Sequence, residues 1–150
     1  MASHAQTQLR PVELRRQETD VKLTLPARAD NVAVIRHVLG AFAEALRLPD
    51  GLVEDLRLAV TEACTNVVRH AYKPDAPGPV EVTIRPDDDV VSVVVADRGR
   101  GIGTSSDTSG PGLGLPLIAA IADEVELQPQ PGGGSRVAMT FARHRRGDAA

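Results

Sequence analysis

Glu62, Asn66 and His70 follow one another at intervals of four residues within VEDLRLAVTEACTNVVRHAY, residues 53–72. On a helix that interval stacks side chains along one face, giving a row of carboxylate, amide and imidazole. A carboxylate beside an amide oxygen can hold a hard cation or receive a proton. The same row is also what the wet face of any helix shows. A second candidate is Asp97, followed by Arg98-Gly99-Arg100-Gly101-Ile102-Gly103. This pattern fits a turn aspartate with glycines that supply positive φ. It equally fits an acceptor-only carboxylate at a strand end, placed to receive a ring amino group such as that of adenine, with Gly99 and Gly101 letting the backbone come close. A third is Gly112-Leu113-Gly114-Leu115, immediately before a helix. First-turn amides are unpaired donors with a dipole that favours phosphate, although a tight entry turn explains the glycines as well. GxxxxGK[ST] is absent, and the glycines do not form GxGxxG in a βαβ setting.

These groups need elements to hold them. In residues 53–72 an apolar stripe of Val53, Leu56, Val60, Ala63, Val67 and Ala71 recurs at steps of three and four, so this stretch predicts one amphipathic helix. Ahead of it, residues 21–25 alternate as a half-buried strand that Pro26 stops. A helix capped by Asp30 then runs to about Leu46, packing through Val34, Ile35, Val38, Leu39, Phe42 and Leu46. RLPDG, residues 47–51, is a turn. After the central helix, Lys73-Pro74 and a Pro/Gly-rich loop lead to strands at 80–85 and 90–96, joined by an acidic hairpin turn. The second of these strands is nearly all β-branched, which fits a central position covered on both sides. Residues 104–111 are small and polar and form a loop that could fold over a ligand. A helix at 116–122 and strands at 124–128 and 135–141 complete the chain. The expected organisation is an arm at residues 1–20, one domain at 21–142 and a polar tail at 143–150. Helices on one face of a mixed β-sheet, an α/β two-layer sandwich, is the fold class.

Composition narrows the function. The 150 residues include 42% hydrophobic and 25% charged, enough for one core, but only 2% aromatic and no Trp. A net charge of -3 with so few aromatics argues against nucleic-acid binding. The single cysteine, Cys64, sits beside the apolar stripe and reads as a buried thiol, and no Cys/His metal spacing exists. No run is long enough to cross a bilayer and no signal-peptide pattern opens the chain, so the expectation is a cytoplasmic protein without membrane contact.

Taken together and in order, Glu62–Asn66 as E-x-x-x-N, Asp97–Ile102 as D-x-G-x-G-I and Gly112–Leu115 as G-x-G-L resemble the N, G1 and G2 boxes of the GHKL superfamily. That superfamily's Bergerat ATP-binding fold is shared by histidine kinases, gyrase and MutL. The short chain and the run TEACTNVVRHAY look most like the anti-sigma-factor serine/threonine kinases related to RsbW and SpoIIAB. The resemblance spans approximately residues 21–141.

It implies that Asn66 coordinates Mg2+ bridging the phosphates of ATP and that Asp97 accepts from the adenine amino group. Gly99 and Gly101 would shape the adenine pocket, and Gly112 and Gly114 would present backbone to the phosphates. Ser135 matches a position where a Thr commonly supports the adenine-binding carboxylate, and His70 flanks the site without an assigned role. Glu62 would be the general base for transfer of the γ-phosphoryl group to a serine or threonine of an anti-anti-sigma (STAS) protein. The STAS protein and a sigma factor would compete for the kinase in a partner switch, and family members commonly pair as homodimers. Two departures bear on this. Some kinases of the family carry an Arg in the lid just ahead of G-x-G, where this chain has Gly110-Pro111. Loss of that charge-assisted phosphate contact points to slow turnover, or to an ATP-binding module that sequesters a partner without efficient transfer. No dimerisation helix with a phosphoacceptor His and no receiver domain is legible in these residues, so a complete sensor histidine kinase is not expected.

Overall fold

The structure is a computed structural model and describes residues 20–101 and 114–144. It contains β1 (Val21–Pro26), α1 (Ala29–Ala45), α2 (Asp50–His70), β2 (Pro79–Pro86), β3 (Val90–Asp97), α3 (Gly114–Ile121), β4 (Glu124–Pro129) and β5 (Ser135–Ala142). The sheet order is β1-β2-β3-β5-β4, which puts the β-branched strand in the middle as expected. The helices share one face, with α1 over β1, α2 over β3 and β5, and α3 over β4. The two-layer α/β architecture is as expected.

All four ladders are antiparallel, whereas the sequence suggested a mixed sheet. The connections explain this. Two helices in succession return the chain to the end where β1 finished, so β2 runs back beside it. After β3, α3 crosses once, which would make β4 parallel to β3, but the β4–β5 hairpin inserts β5 between them. The outer face of β3 is also less covered than its composition suggested: Ser92 and Val94 stay partly exposed while Val91, Val93 and Val95 are buried. Its central place comes from pairing on both edges.

In α2 the expected stripe is the packing face. Leu56, Val60, Ala63, Val67 and Ala71 are buried with Leu52, Ala59 and Cys64, and Val53 is partly buried. They meet Val80, Val82, Ile84, Val91, Val93, Val95, Met139 and Phe141 of the sheet. In α1 two expectations fail. Asp30 lies inside the first turn; the N-cap position is Arg28, with no side-chain cap, so Asp30 contributes charge at the positive end of the helix dipole. Val34 is 46% exposed because it falls on the flank of α1, and Ala43 packs in the core instead. The acidic link after β2 is a hairpin turn: the Asp87 carboxylate accepts from Asp89 N–H and Val90 N–H, both at 2.7 Å. Those amides, Val90 first, hold its carboxyl below the ordinary carboxylate value.

Cys64 is fully buried, and burial pushes its thiol from 9.0 to about 12. Between those values an unfolded chain releases the thiol proton and the folded chain keeps it. The contribution of Cys64 to stability is therefore intact below pH 9 and is lost as pH rises to about 12. Alkaline denaturation of Cys64→Ala is expected to show a shallower loss in this window, and native protein should resist thiol alkylation until denaturant is added.

Candidate functional site

Asp97 ends β3 and is 5% exposed, the one buried charged side chain among the described residues. Its Oδ1 accepts the Gly99 N–H at 2.9 Å, and its Oδ2 accepts the Ser135 hydroxyl at 2.8 Å. A carboxylate has about four acceptor positions, so two such bonds orient it and leave capacity for an incoming donor. The Asp97 carbonyl in turn accepts from Gln130 Nε2 at 2.8 Å. Ser135 thus stands where the resemblance put a supporting hydroxyl.

The surrounding glycines serve different ends. Gly99 is required by close approach: a Cβ there would overlap the carbonyl oxygen of Ala71, at the end of α2. Gly101 has φ +75 and lies against the carbonyl of Gly134, so positive φ is its reason. The Arg100 N–H donates to the Ala71 carbonyl at 3.0 Å, fastening the turn after β3 to the C-terminus of α2.

Asn66 is one and a half turns before that point. It is half-buried, and a Cβ on Gly114 would lie 2.6 Å from its Nδ2 and 3.0 Å from its Oδ1. The Asn66 amide therefore rests on the first residue of α3, where a larger residue would have to push that side chain aside. Glu62 is half-buried one turn earlier, and His70 is exposed in the last turn. Gly112, and the expected lid at 104–111 with Gly110-Pro111, lie outside the described residues.

Of the candidates from the sequence, Asp97, Gly99, Gly101 and Ser135 form one cluster, and Asn66 with Gly114 forms another. The end of α2 links the two. Sequence reasoning missed Gln130, the Ala71 carbonyl, Gly134 and Tyr72. The three consecutive glycines 132–134 were the available signal for one of these, while backbone carbonyls and a lone glutamine leave no pattern. An open concavity lined by Asp55, Ala120, Ile121, Ala122, Asp123, Ala142 and His144 shares no residue with these clusters. Asp55 is eleven residues before Asn66, about 16 Å along the helix.

The residues present suit an adenine nucleotide with a hard cation: an oriented buried carboxylate that keeps acceptor capacity, and an amide oxygen on the neighbouring helix. Residues 25–141 match the model of the histidine kinase-like ATPase domain. The chain belongs to that family, and its fold is the Bergerat ATPase fold. Among curated proteins it is similar to serine-protein kinase RsbW of Bacillus licheniformis, 37% identical over 86 residues, covering 57% of this chain and 54% of that protein. It is also similar to serine-protein kinase RsbW of Bacillus subtilis, 39% identical over 79 residues, covering 53% and 49%. The chain spans about half the length of the curated relatives it matches. Among solved structures, the RsbU and RsbW domains of a Mycobacterium tuberculosis protein align with TM-score 0.67 at 22% identity, over 84% of this chain and 33% of that one. The SiaB–SiaC complex of Pseudomonas aeruginosa aligns with TM-score 0.59 at 18% identity, over 81% and 89%. Both structural likenesses concern the fold. No helix among the described residues is long and apolar enough to cross a membrane.

Proposed function

We propose that this chain is an ATP-dependent serine/threonine protein kinase acting as an anti-sigma factor, which phosphorylates an anti-anti-sigma STAS protein and holds a sigma factor in a partner switch. The observation that carries the reading is the buried Asp97 carboxylate, oriented by Gly99 and Ser135 and fastened to the same helix that bears Glu62 and Asn66. The similarity to the two Bacillus serine-protein kinases supports the choice of acceptor.

Mg-ATP, when bound, would supply the phosphoryl group and a cation to offset its charge. Asp97 would accept from the adenine amino group, and Gly99 and Gly101 would shape the turn beside the base. Asn66 would offer its amide oxygen to Mg2+, and Gly114, with Gly112 by the family resemblance, would supply backbone N–H groups to the phosphates. Glu62 would take the proton from the serine or threonine hydroxyl as its oxygen bonds to the γ-phosphorus, while the bond from that phosphorus to the β–γ bridging oxygen breaks and ADP leaves. Partners are the STAS protein, the sigma factor and a second copy of the chain in a homodimer.

Radiolabelled Mg-ATP incubated with candidate STAS proteins tests this directly. Label should pass to one antagonist, and absence of transfer to any, while a related kinase labels its own, overturns the reading. The absence of a lid cation at Gly110-Pro111 favours a second reading, an ATP-binding module that sequesters a partner without turnover. It predicts an ATP-dependent complex that Glu62→Ala leaves intact, with no label transfer to lose.

A further inference from the structure

Tyr72 follows the end of α2 and is partly buried. Its hydroxyl donates to the carbonyl of Pro79, the first residue of β2, at 2.6 Å. The same oxygen accepts the Arg98 N–H at 2.8 Å, one residue past Asp97. One phenol therefore ties together three segments: the end of the helix bearing Glu62 and Asn66, the start of β2, and the turn after β3. The ring has a fitted seat, because a Cβ on Gly78 would overlap its Cε1 and lie 2.5 Å from its Cζ. The Gly78 carbonyl also accepts from Ala27 N–H at 2.8 Å, so the seat is fixed to the end of β1. The Arg100 N–H to Ala71 carbonyl bond is the second tie between the same helix end and the same turn.

Two amides of that turn, at residues 98 and 100, thus end on the consecutive residues Tyr72 and Ala71, just past α2. The amide between them, Gly99, points to Asp97 Oδ1. The position of the carboxylate depends on where this short backbone segment is held. We infer that Tyr72 is a positioning residue for base recognition: its hydroxyl sets the Arg98 amide, and through it the direction in which the Asp97 carboxylate meets an adenine amino group. This inference rests on the nucleotide-binding reading given above. Burial raises the Tyr72 phenol above its ordinary value, so the hydroxyl keeps its proton and serves as donor and acceptor together near neutral pH.

Tyr72→Phe keeps the ring in its seat and removes only the hydroxyl. The readout is the ratio of ATP to GTP affinity, measured by calorimetry on the full chain beside thermal unfolding. Loss of one hydrogen bond to the turn predicts a three- to tenfold fall in that ratio, roughly the range a single hydrogen bond supports. Gly78→Ala, which displaces the ring without touching the hydroxyl, should lower it similarly. Asp97→Asn is the control for the underlying reading. If Asp97→Asn leaves the ratio unchanged, the nucleotide site itself is misassigned. If Asp97→Asn collapses the ratio while Tyr72→Phe lowers only the unfolding temperature, Tyr72 is a structural tie and the inference is overturned.

Discussion

Glu62→Ala is expected to reduce phosphoryl transfer to the protein substrate by about 10²- to 10⁴-fold, the range for loss of a general base. Mg-ATP affinity should change by no more than a few-fold. Glu62 lies in the interior of α2, half-buried, one turn before the Asn66 amide that rests on Gly114. The four-residue spacing puts it on the same face of the helix as Asn66, the residue proposed above to hold the cation. Alanine is the best helix former, so the substitution leaves the helix intact and isolates the chemistry. Glu62→Gln keeps the shape and removes the proton acceptor, and it should fail equally. Single-turnover label transfer and equilibrium ATP binding, read on the same preparations, separate the two effects. Retention of full transfer by Glu62→Gln would remove Glu62 from the mechanism. Asn66→Ala should show the complementary pattern, with Mg2+-dependent nucleotide affinity falling first.

Gly134→Ala should be the most destabilising alanine substitution in the β4–β5 turn. Gly134 has φ +100, and a Cβ there would overlap the carbonyl oxygen of Asp97 and lie 2.7 Å from the Arg98 Cα. Both neighbours are backbone and neither can swing aside. Strained φ contributes about 1–3 kcal/mol, and overpacking about as much again. With domain stabilities near 5–15 kcal/mol, a loss of roughly 3–5 is a large share, and the unfolding temperature should fall by about 10 °C. The neighbouring Gly132 provides the comparison: its φ is +84, but an added Cβ meets nothing within 4 Å. Gly132→Ala carries the strain without the collision and should lose about 1–2 kcal/mol. Equal losses at the two positions, measured by denaturant unfolding, would show that the contact with the Asp97 carbonyl is unimportant. Because that contact sets the turn after β3, Gly134→Ala should also weaken ATP binding in whatever fraction remains folded.

The features the sequence determined by itself are those written in local periodicity and residue type. A 3.6-residue apolar stripe placed α2 and its buried face, and it separated Asn66 and Glu62 from that face, because helical geometry assigns directions from spacing alone. Alternation placed the strands to within a residue or two. Asp97 before a glycine-rich run was recognisable because few residues tolerate such backbone. What needed tertiary structure was every relation between segments far apart in the chain. Alternation specifies which face a strand buries but says nothing of its neighbours, so the fully antiparallel order had to come from packing. The exposure of Val34 depends on which flank of α1 lies beyond the reach of α2 and the sheet, a matter of where the helix sits. The reasons for Gly99 and Gly114 were likewise hidden, since neither is set by its own backbone angle: one is pressed by the Ala71 carbonyl, the other by the Asn66 amide. Gln130 and Tyr72 reach the turn after β3 across 33 and 26 residues of chain. Hydrogen bonds of that span leave no mark on composition or period, and only the folded chain brings their partners within 3 Å.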